Sequence, residues 1–447
     1  MTTLKDELHD VHPARQGLGI LLAVAATAPG IVLRIADIHT ENWLDAVLFG
    51  LAIVGAAFIL SWAAEAAQLD ISAGLAIAVL AFIAVLPEYA VDFVLAFQGG
   101  QGFAEFGETC KAATDPGESP CSLALANMTG ANRLLIGIGW SMVVFIAWYR
   151  TRKRPPVLRE VVLDRPHAVE VSFLALATLY SLTLPLKHSI TPVDAIVLVS
   201  IFVAYTWRIS RAPAEEPHLV GPARLVGTFS KVGRRVSVIA MFVFAATVIL
   251  LVAEQFAEAL VETGQEFGIN EFLLIQWLAP LASEAPELLV AGLYAWRLNT
   301  NAGLGTLVSS KVNQWTLLVG TLPIVFSIGA GGLHGLPVDS VQRQELFLTA
   351  AQSFFAIAVL LTLSITTKEA MLLFGLFWAQ FIVGGLVPES LHAAERVGVG
   401  IVYLVLGTAI ILRGRDLVRP LIRDGFRTSY PRLSGRDPDD GEPDGPR

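Results

Sequence analysis

Apolar runs long enough to cross a bilayer recur about twelve times along this chain, and few folds can accommodate that. They lie near residues 17–36, 43–67, 71–97, 121–149, 169–186, 192–207, 236–260, 271–296, 304–330, 346–365, 369–387 and 397–412. A soluble domain carries about a quarter charged residues; here 16% are charged and 54% are hydrophobic. A membrane β-barrel would show short alternating segments instead. The expected fold class is therefore an all-α polytopic membrane protein. The first run lacks a small-residue cleavage exit and is expected to remain as an anchor.

The charged loops orient the spans. Arg150, Arg152, Lys153 and Arg154 follow the fourth span. Arg208, Arg211, Arg224 and Lys231 follow the sixth, and Arg413, Arg415, Arg419 and Arg423 follow the twelfth. All three groups follow even-numbered spans, so the positive-inside rule places both termini in the cytoplasm, here of a cell (inner) membrane. Basic residues confined to short loops leave no nucleic-acid footprint, and the net charge of −8 names no partner. Cys110 and Cys121 share one Gly-rich, acidic loop on the opposite face. They form a bridge if that face is oxidising, or remain two free thiols.

The middle of the chain divides it. Residues 210–235 read as a polar cytosolic linker between a first repeat, 43–209, and a second, 236–387. Residues 1–42 form an N-terminal segment with an additional span, 388–412 form a further span, and 413–447 read as a disordered cytosolic tail. Each repeat has five spans. Its first ends near a glutamate (Glu65 or Glu258), its second holds a Pro-Glu pair, and its third opens on small and polar residues. An odd number of spans inserts the second copy upside down, a design in which two inverted repeats meet at the midplane through broken helices. The expected architecture is two inverted five-helix repeats plus an extra helix at each end.

The Pro-Glu pairs are the chemistry-bearing residues. Pro87 precedes Glu88, with Asp92 four residues on; Glu284 and Glu287 flank Pro286. A charge at mid-membrane costs about 2.5–3.5 kcal/mol on insertion scales, so four of them point to a site. Proline removes a backbone donor, and the carbonyl it frees must find another partner, for which a cation serves. Oxygen ligands suit a hard cation such as Ca²⁺ or Na⁺. Buried carboxyls can also carry H⁺. The bland alternative is that each acid pairs with a fixed Lys or Arg. No HExxH motif and no nucleophile–base set lie at depth, so no enzyme and no resident cofactor are expected. The expected partners are inorganic cations and the lipid bilayer.

These motifs resemble the sodium/calcium exchanger superfamily, whose two inverted repeats each carry a Pro-Glu stretch followed by an Asn-rich stretch on the next helix. The matching residues are Leu86-Pro87-Glu88 with Asn127 to Asn132, and Ala282 to Glu287 with Gly305 to Ser310. The resemblance implies that Glu88 and Glu287 are the central cation-binding carboxylates. It implies that Asn127 and Thr306 are their polar partners, and that Ser283 is a hydroxyl ligand. The chain departs from the pattern at Ala84 and Val85, where hydroxyls are usual, and at Glu284, Asp92, Lys311 and Arg133. Lys311 and Arg133 are expected either to pair with some of these acids, lowering the number of mobile cations, or to face outward. The function this implies is a secondary antiporter exchanging Ca²⁺ or a related cation for Na⁺ or H⁺. A cation channel or a non-transporting membrane protein with a degenerate site are the alternatives.

Overall fold

The computed structural model describes residues 12–70, 86–113, 118–153, 156–212, 219–268 and 271–434. The first part of the third span, with Ala84 and Val85, lies outside the described residues, as does the chain beyond 434.

The first repeat comprises α2 (Asn42–Ala67), α3 (Leu86–Phe106), a rod formed by α4 (Pro120–Leu134) and α5 (Ser141–Thr151), α6 (Ala168–Ser181) and α7 (Pro192–Ile209). After α8 (Ala223–Gly227), the second comprises α9 (Lys231–Phe267), α10 (Glu271–Trp296), a rod of α11 (Thr300–Asn313) and α12 (Val319–Gly329), α13 (Ser340–Val359) and α14 (Thr367–Leu386). α1 (Pro13–Ala36) and α15 (Glu389–Arg413) are the added helices at either end. Among the described residues, nine helices, counting each rod once, are long and apolar enough to span a membrane. α3, α10 and α14, the other long helices of the two repeats, are not among these nine. The protein is an all-α polytopic membrane protein.

The two repeats match in detail. Each rod is joined through a π-helical segment, Leu135–Trp140 in the first and Gln314–Leu318 in the second. α7 and α14 each begin with a capping box, Thr191 with Asp194 and Thr366 with Glu369. In both, the cap hydroxyl takes an orphan amide and the acid returns to the cap's own N–H. Short strands then show the two-fold relation. β1 (Glu160–Val162) of the first repeat pairs antiparallel with β4 (Ser364–Thr366) of the second. β2 (Ser189–Ile190) of the first pairs with β3 (Leu336–Pro337) of the second. Each half thus completes the other's ribbon in reciprocal order, as two inverted copies must.

Three expectations need correction. The tail read as disordered is helical through α16 (Arg415–Phe426) and α17 (Tyr430–Leu433). Its arginines made it look polar, but Gly425 lets it lie directly on Ser172 and Ala168 of α6. Arg165 Nε donates to Asp424 at 2.7 Å, the Phe173 and Phe426 rings meet at 4.9 Å, and Tyr430 is buried under the Arg208 guanidinium. The linker is likewise anchored where it is described. The Val220 N–H donates to Glu65 at 2.6 Å, and Arg234 grips Asp70 with two bonds of 2.7 and 2.9 Å. Finally, α10 stays helical through Pro280 and Pro286, so this span is not broken at its motif. Prolines in a membrane helix are tolerated when neighbouring groups satisfy the backbone they free.

Candidate functional site

The packing of α4 on α10 sets the depth of the site. A Cβ on Gly130 would lie 1.7 Å from the carbonyl oxygen of Gln276, so only glycine allows this approach. With the helices this close, the α3, α10 and α11 side chains converge on one buried region. Glu88, Asp92, Glu284, Asn127 and Lys311 are all buried, and Glu287 is partly so.

Gln314 ties the two Pro-Glu motifs together. Its Nε2 donates to Glu284 Oε1 at 2.8 Å and to Glu88 Oε2 at 3.3 Å. The Glu284 carboxyl is near enough to those of Glu88 and Glu287 for the three to act on one another electrostatically. On the first-repeat side, Asn127 Nδ2 donates to Asp92 Oδ1 at 2.7 Å. Several acceptors here are sealed from solvent yet have no partner: Glu88 Oε1, Asp92 Oδ2, Asn127 Oδ1, Glu284 Oε2, Glu287 Oε2 and Gln314 Oε1. Buried acceptors are normally satisfied. A concentration of open lone pairs on acids is what a cation or protons would fill. In this conformation the acids are not yet a cage: among the described residues, no group of three or more His, Cys, Asp or Glu is gathered to hold a metal ion.

The structure thus brings together Glu88, Asp92, Asn127, Glu284 and Glu287. Ser283 is buried beside them, but its hydroxyl donates back to its own helix, to Ala279 O at 3.2 Å and Pro280 O at 3.3 Å. Thr306 is not part of the cluster. It sits on the exposed face of α11, and its hydroxyl donates to Ala302 O at 2.9 Å. The buried face of α11 carries Ser310, Lys311 and, one turn further, Gln314.

The two fixed cations pair differently from expectation. Lys311 Nζ donates to Asn132 O and Oδ1, both at 2.6 Å, and lies over the Trp315 ring at 5.2 Å. Its charge is close enough to act on Glu88 and Glu284 but is not bonded to either. Arg133 leaves the site altogether. It forms a 2.6 Å ion pair with Glu345 of α13, hydrogen-bonds Gln380 of α14, and stacks on Trp277 at 5.0 Å. Arg396 of α15 takes the other Glu345 oxygen at 2.6 Å, and Gln276 donates to the first at 3.0 Å. Reasoning from sequence missed Gln314 and Glu345. Gln314 could have been found, since it lies three residues after Lys311 on the same helical face. Nothing in the sequence around Glu345 signals its partners, which come from other helices. Cys110 and Cys121 are joined in a disulfide.

An inverted-repeat helix bundle with a buried acidic cluster shared between its halves is the architecture of a secondary cation transporter. The chain belongs to the sodium/calcium exchanger family: the family model described as "Sodium/calcium exchanger protein" matches residues 42–210 and 237–383. Members of this family are secondary transporters that exchange cations. The chain is similar to the crystal structure of the H⁺/Ca²⁺ exchanger CAX, with 40% identity, coverage of 95% of this chain and 100% of that one, and a TM-score of 0.84. Native YfkE shares 14% identity over 87% of this chain and 100% of its own, with a TM-score of 0.57, which is a likeness of fold. Among curated proteins, none matches.

Proposed function

We propose that this protein is an antiporter that moves Ca²⁺ against H⁺ by alternating access, with Glu88 and Glu287 as the shared ligands. The observation carrying this reading is that the one Gln314 amide nitrogen donates to both Glu88 and Glu284, which draws the two Pro-Glu motifs together around carboxyl oxygens that have no partner. Carboxylates gathered around one amide, with no cation bonded to them among the described residues, repel one another unless protons neutralise some of them. This arrangement suits the proton-loaded half of a cycle. Ca²⁺ would displace those protons and draw the acids into a cage of oxygen ligands. Gln314 holds both motifs throughout, and Asp92, oriented by Asn127, adds a further exchangeable carboxyl.

The hydroxyl inventory favours H⁺ over Na⁺ as the counter-ion. Ser283 donates to its own helix, Thr306 faces away, and the Lys311 Nζ occupies the Asn132 oxygens that a second cation could otherwise use. The similarity to the H⁺/Ca²⁺ exchanger supports the same choice. The lysine-rich and arginine-rich loops support a cell-membrane protein with both termini in the cytoplasm.

Proteoliposomes loaded with Ca²⁺ and given H⁺ or Na⁺ gradients separately test this reading. Ca²⁺ flux should follow the H⁺ gradient and ignore Na⁺. Flux driven by Na⁺ alone would replace H⁺ with Na⁺, and Ca²⁺ leak without any counter-gradient would indicate a channel.

A further inference from the structure

A second charged feature lies far from the acids, at the membrane face where α5 and α10 end. There a cavity of about 510 Å³ is lined by Tyr149, Arg150, Arg152, Lys153, Trp296 and Leu298, among others. Its lining holds three cations and no acid. Among the described residues, none of the three cations forms an ion pair with a carboxylate. Among the described residues, no carboxylate therefore compensates this charge.

The arginines are pre-organised. Arg150 Nε donates to Trp296 O at 3.1 Å, and its guanidinium lies over the Trp296 ring at 4.6 Å. Arg152 lies over Tyr149 at 4.1 Å, and the Tyr149 and Trp296 rings are themselves stacked at 6.5 Å. Aromatic faces hold the guanidinium planes while leaving their remaining N–H edges free, which suits bidentate recognition of a phosphate. Leu298 closes the wall in a left-handed backbone conformation at φ 63°. That conformation ends α10, the Asn299 N–H returning to Tyr294 O at 3.0 Å.

We propose that this cavity binds the phosphate headgroup of an anionic phospholipid. The source is a lipid rather than free phosphate because the site sits in a rim of exposed aromatic and apolar side chains. Trp296 is 47% exposed, Tyr149 50% and Leu298 45%. Aromatic side chains at a span's end mark the headgroup level of the bilayer. A basic pocket between helices at that level is a headgroup site by its electrostatics. The same loop cations lie on the face that the positive-inside rule assigns to the cytoplasm, where anionic lipid concentrates.

The test uses the full chain in detergent, with melting temperature and native mass spectrometry as readouts. Phosphatidylglycerol should bind and raise the melting temperature, whereas phosphatidylcholine should do neither. Exchanging Arg150, Arg152 and Lys153 together for Gln should weaken phosphatidylglycerol binding by about tenfold or more, given about 1 kcal/mol per basic residue near an anionic surface. The same exchange at Arg413, Arg415 and Arg419 should leave binding to this cavity intact, read as retained protection of Trp296 fluorescence from a soluble quencher. If the triple variant is too unstable, Arg152→Gln alone should show a smaller loss in the same direction. Equal phosphatidylglycerol binding by wild type and variant would overturn the proposal. Saturation by inorganic phosphate alone, with no further gain from the lipid, would overturn the lipid as source.

Discussion

Glu170 and Glu345 occupy matching places in the two halves. Glu170 stands as far before the cap Thr191 as Glu345 does before the cap Thr366, and Tyr205 and Gln380 match on the far side of those caps. Their surroundings differ. Glu345 lies between Arg133 and Arg396 at 2.6 Å from each, with Gln276 and Gln380 closing the network. Glu170 has His167 at 3.5 Å, and Tyr205 turns instead to Ser309 at 3.1 Å. A duplicated backbone therefore carries a glutamate clasped by two arginines in one half and a glutamate beside a single histidine in the other. Asp92 shows the same divergence: it follows Glu88 by the interval at which the small, buried Ala291 follows Glu287. The symmetry supplies two equivalent positions, and the side chains assign them different work.

The sharpest way to break this comparison is to remove the two glutamates in turn. Glu345→Ala strands the buried Arg133 and the half-buried Arg396, and breaking a buried pair in this way costs about 3–5 kcal/mol. Glu170→Ala should cost about 1 kcal/mol, the ordinary size of a substitution outside a charge network. Chemical or thermal unfolding in detergent measures both. Equal losses would show that the two clasps are equivalent after all.

Next come the central acids. Glu287→Gln and Glu88→Gln should each lower Ca²⁺ flux in proteoliposomes about 100-fold, the kinetic equivalent of losing one charged ligand contact. Similar losses from both would show that the halves share the ion equally. A smaller effect, about tenfold, is expected for Asp92→Asn, which keeps the bond to Asn127 but removes a charge. Placing the missing acid in the other half, Ala291→Asp, should alter the Ca²⁺ to H⁺ ratio without restoring Asp92→Asn. Restoration would mean that the two positions are interchangeable.

The smallest effect concerns the linker. The hydrogen bond from Arg234, outweighing burial, holds the Asp70 carboxyl below the usual carboxylate range. Because the folded value is depressed, this contact stabilises fully above the ordinary carboxylate pKa of about 4 and fades as pH falls below it. Asp70→Asn should therefore melt earlier than wild type at neutral pH, and the gap should close in acid.

The spans, the division into repeats and the acids were legible because each rests on local pattern. Apolar runs, odd span counts and a glutamate beside a proline can all be read along the chain. Partner choice was not legible. Lys311 looked like a counter-ion for Glu284, yet its amine is taken by the Asn132 carbonyl and amide oxygens, on another helix of the other repeat. Thr306 matched the motif in sequence but, on the helix, points away from the cluster. The C-terminal segment looked disordered because its arginines dominate its composition. Its fold depends on Gly425, which matters only once α6 lies against it.

The exchanged ribbons have a consequence for how the chain is made. β1 and β2 leave the ribosome well before their partners β4 and β3 exist, so the first half waits in the bilayer with its edges open. Only arrival of the second half closes it. The two halves are then obligate complements, like two subunits that happen to share a peptide bond. Expressed as separate polypeptides, each should be short-lived alone and should accumulate when produced together.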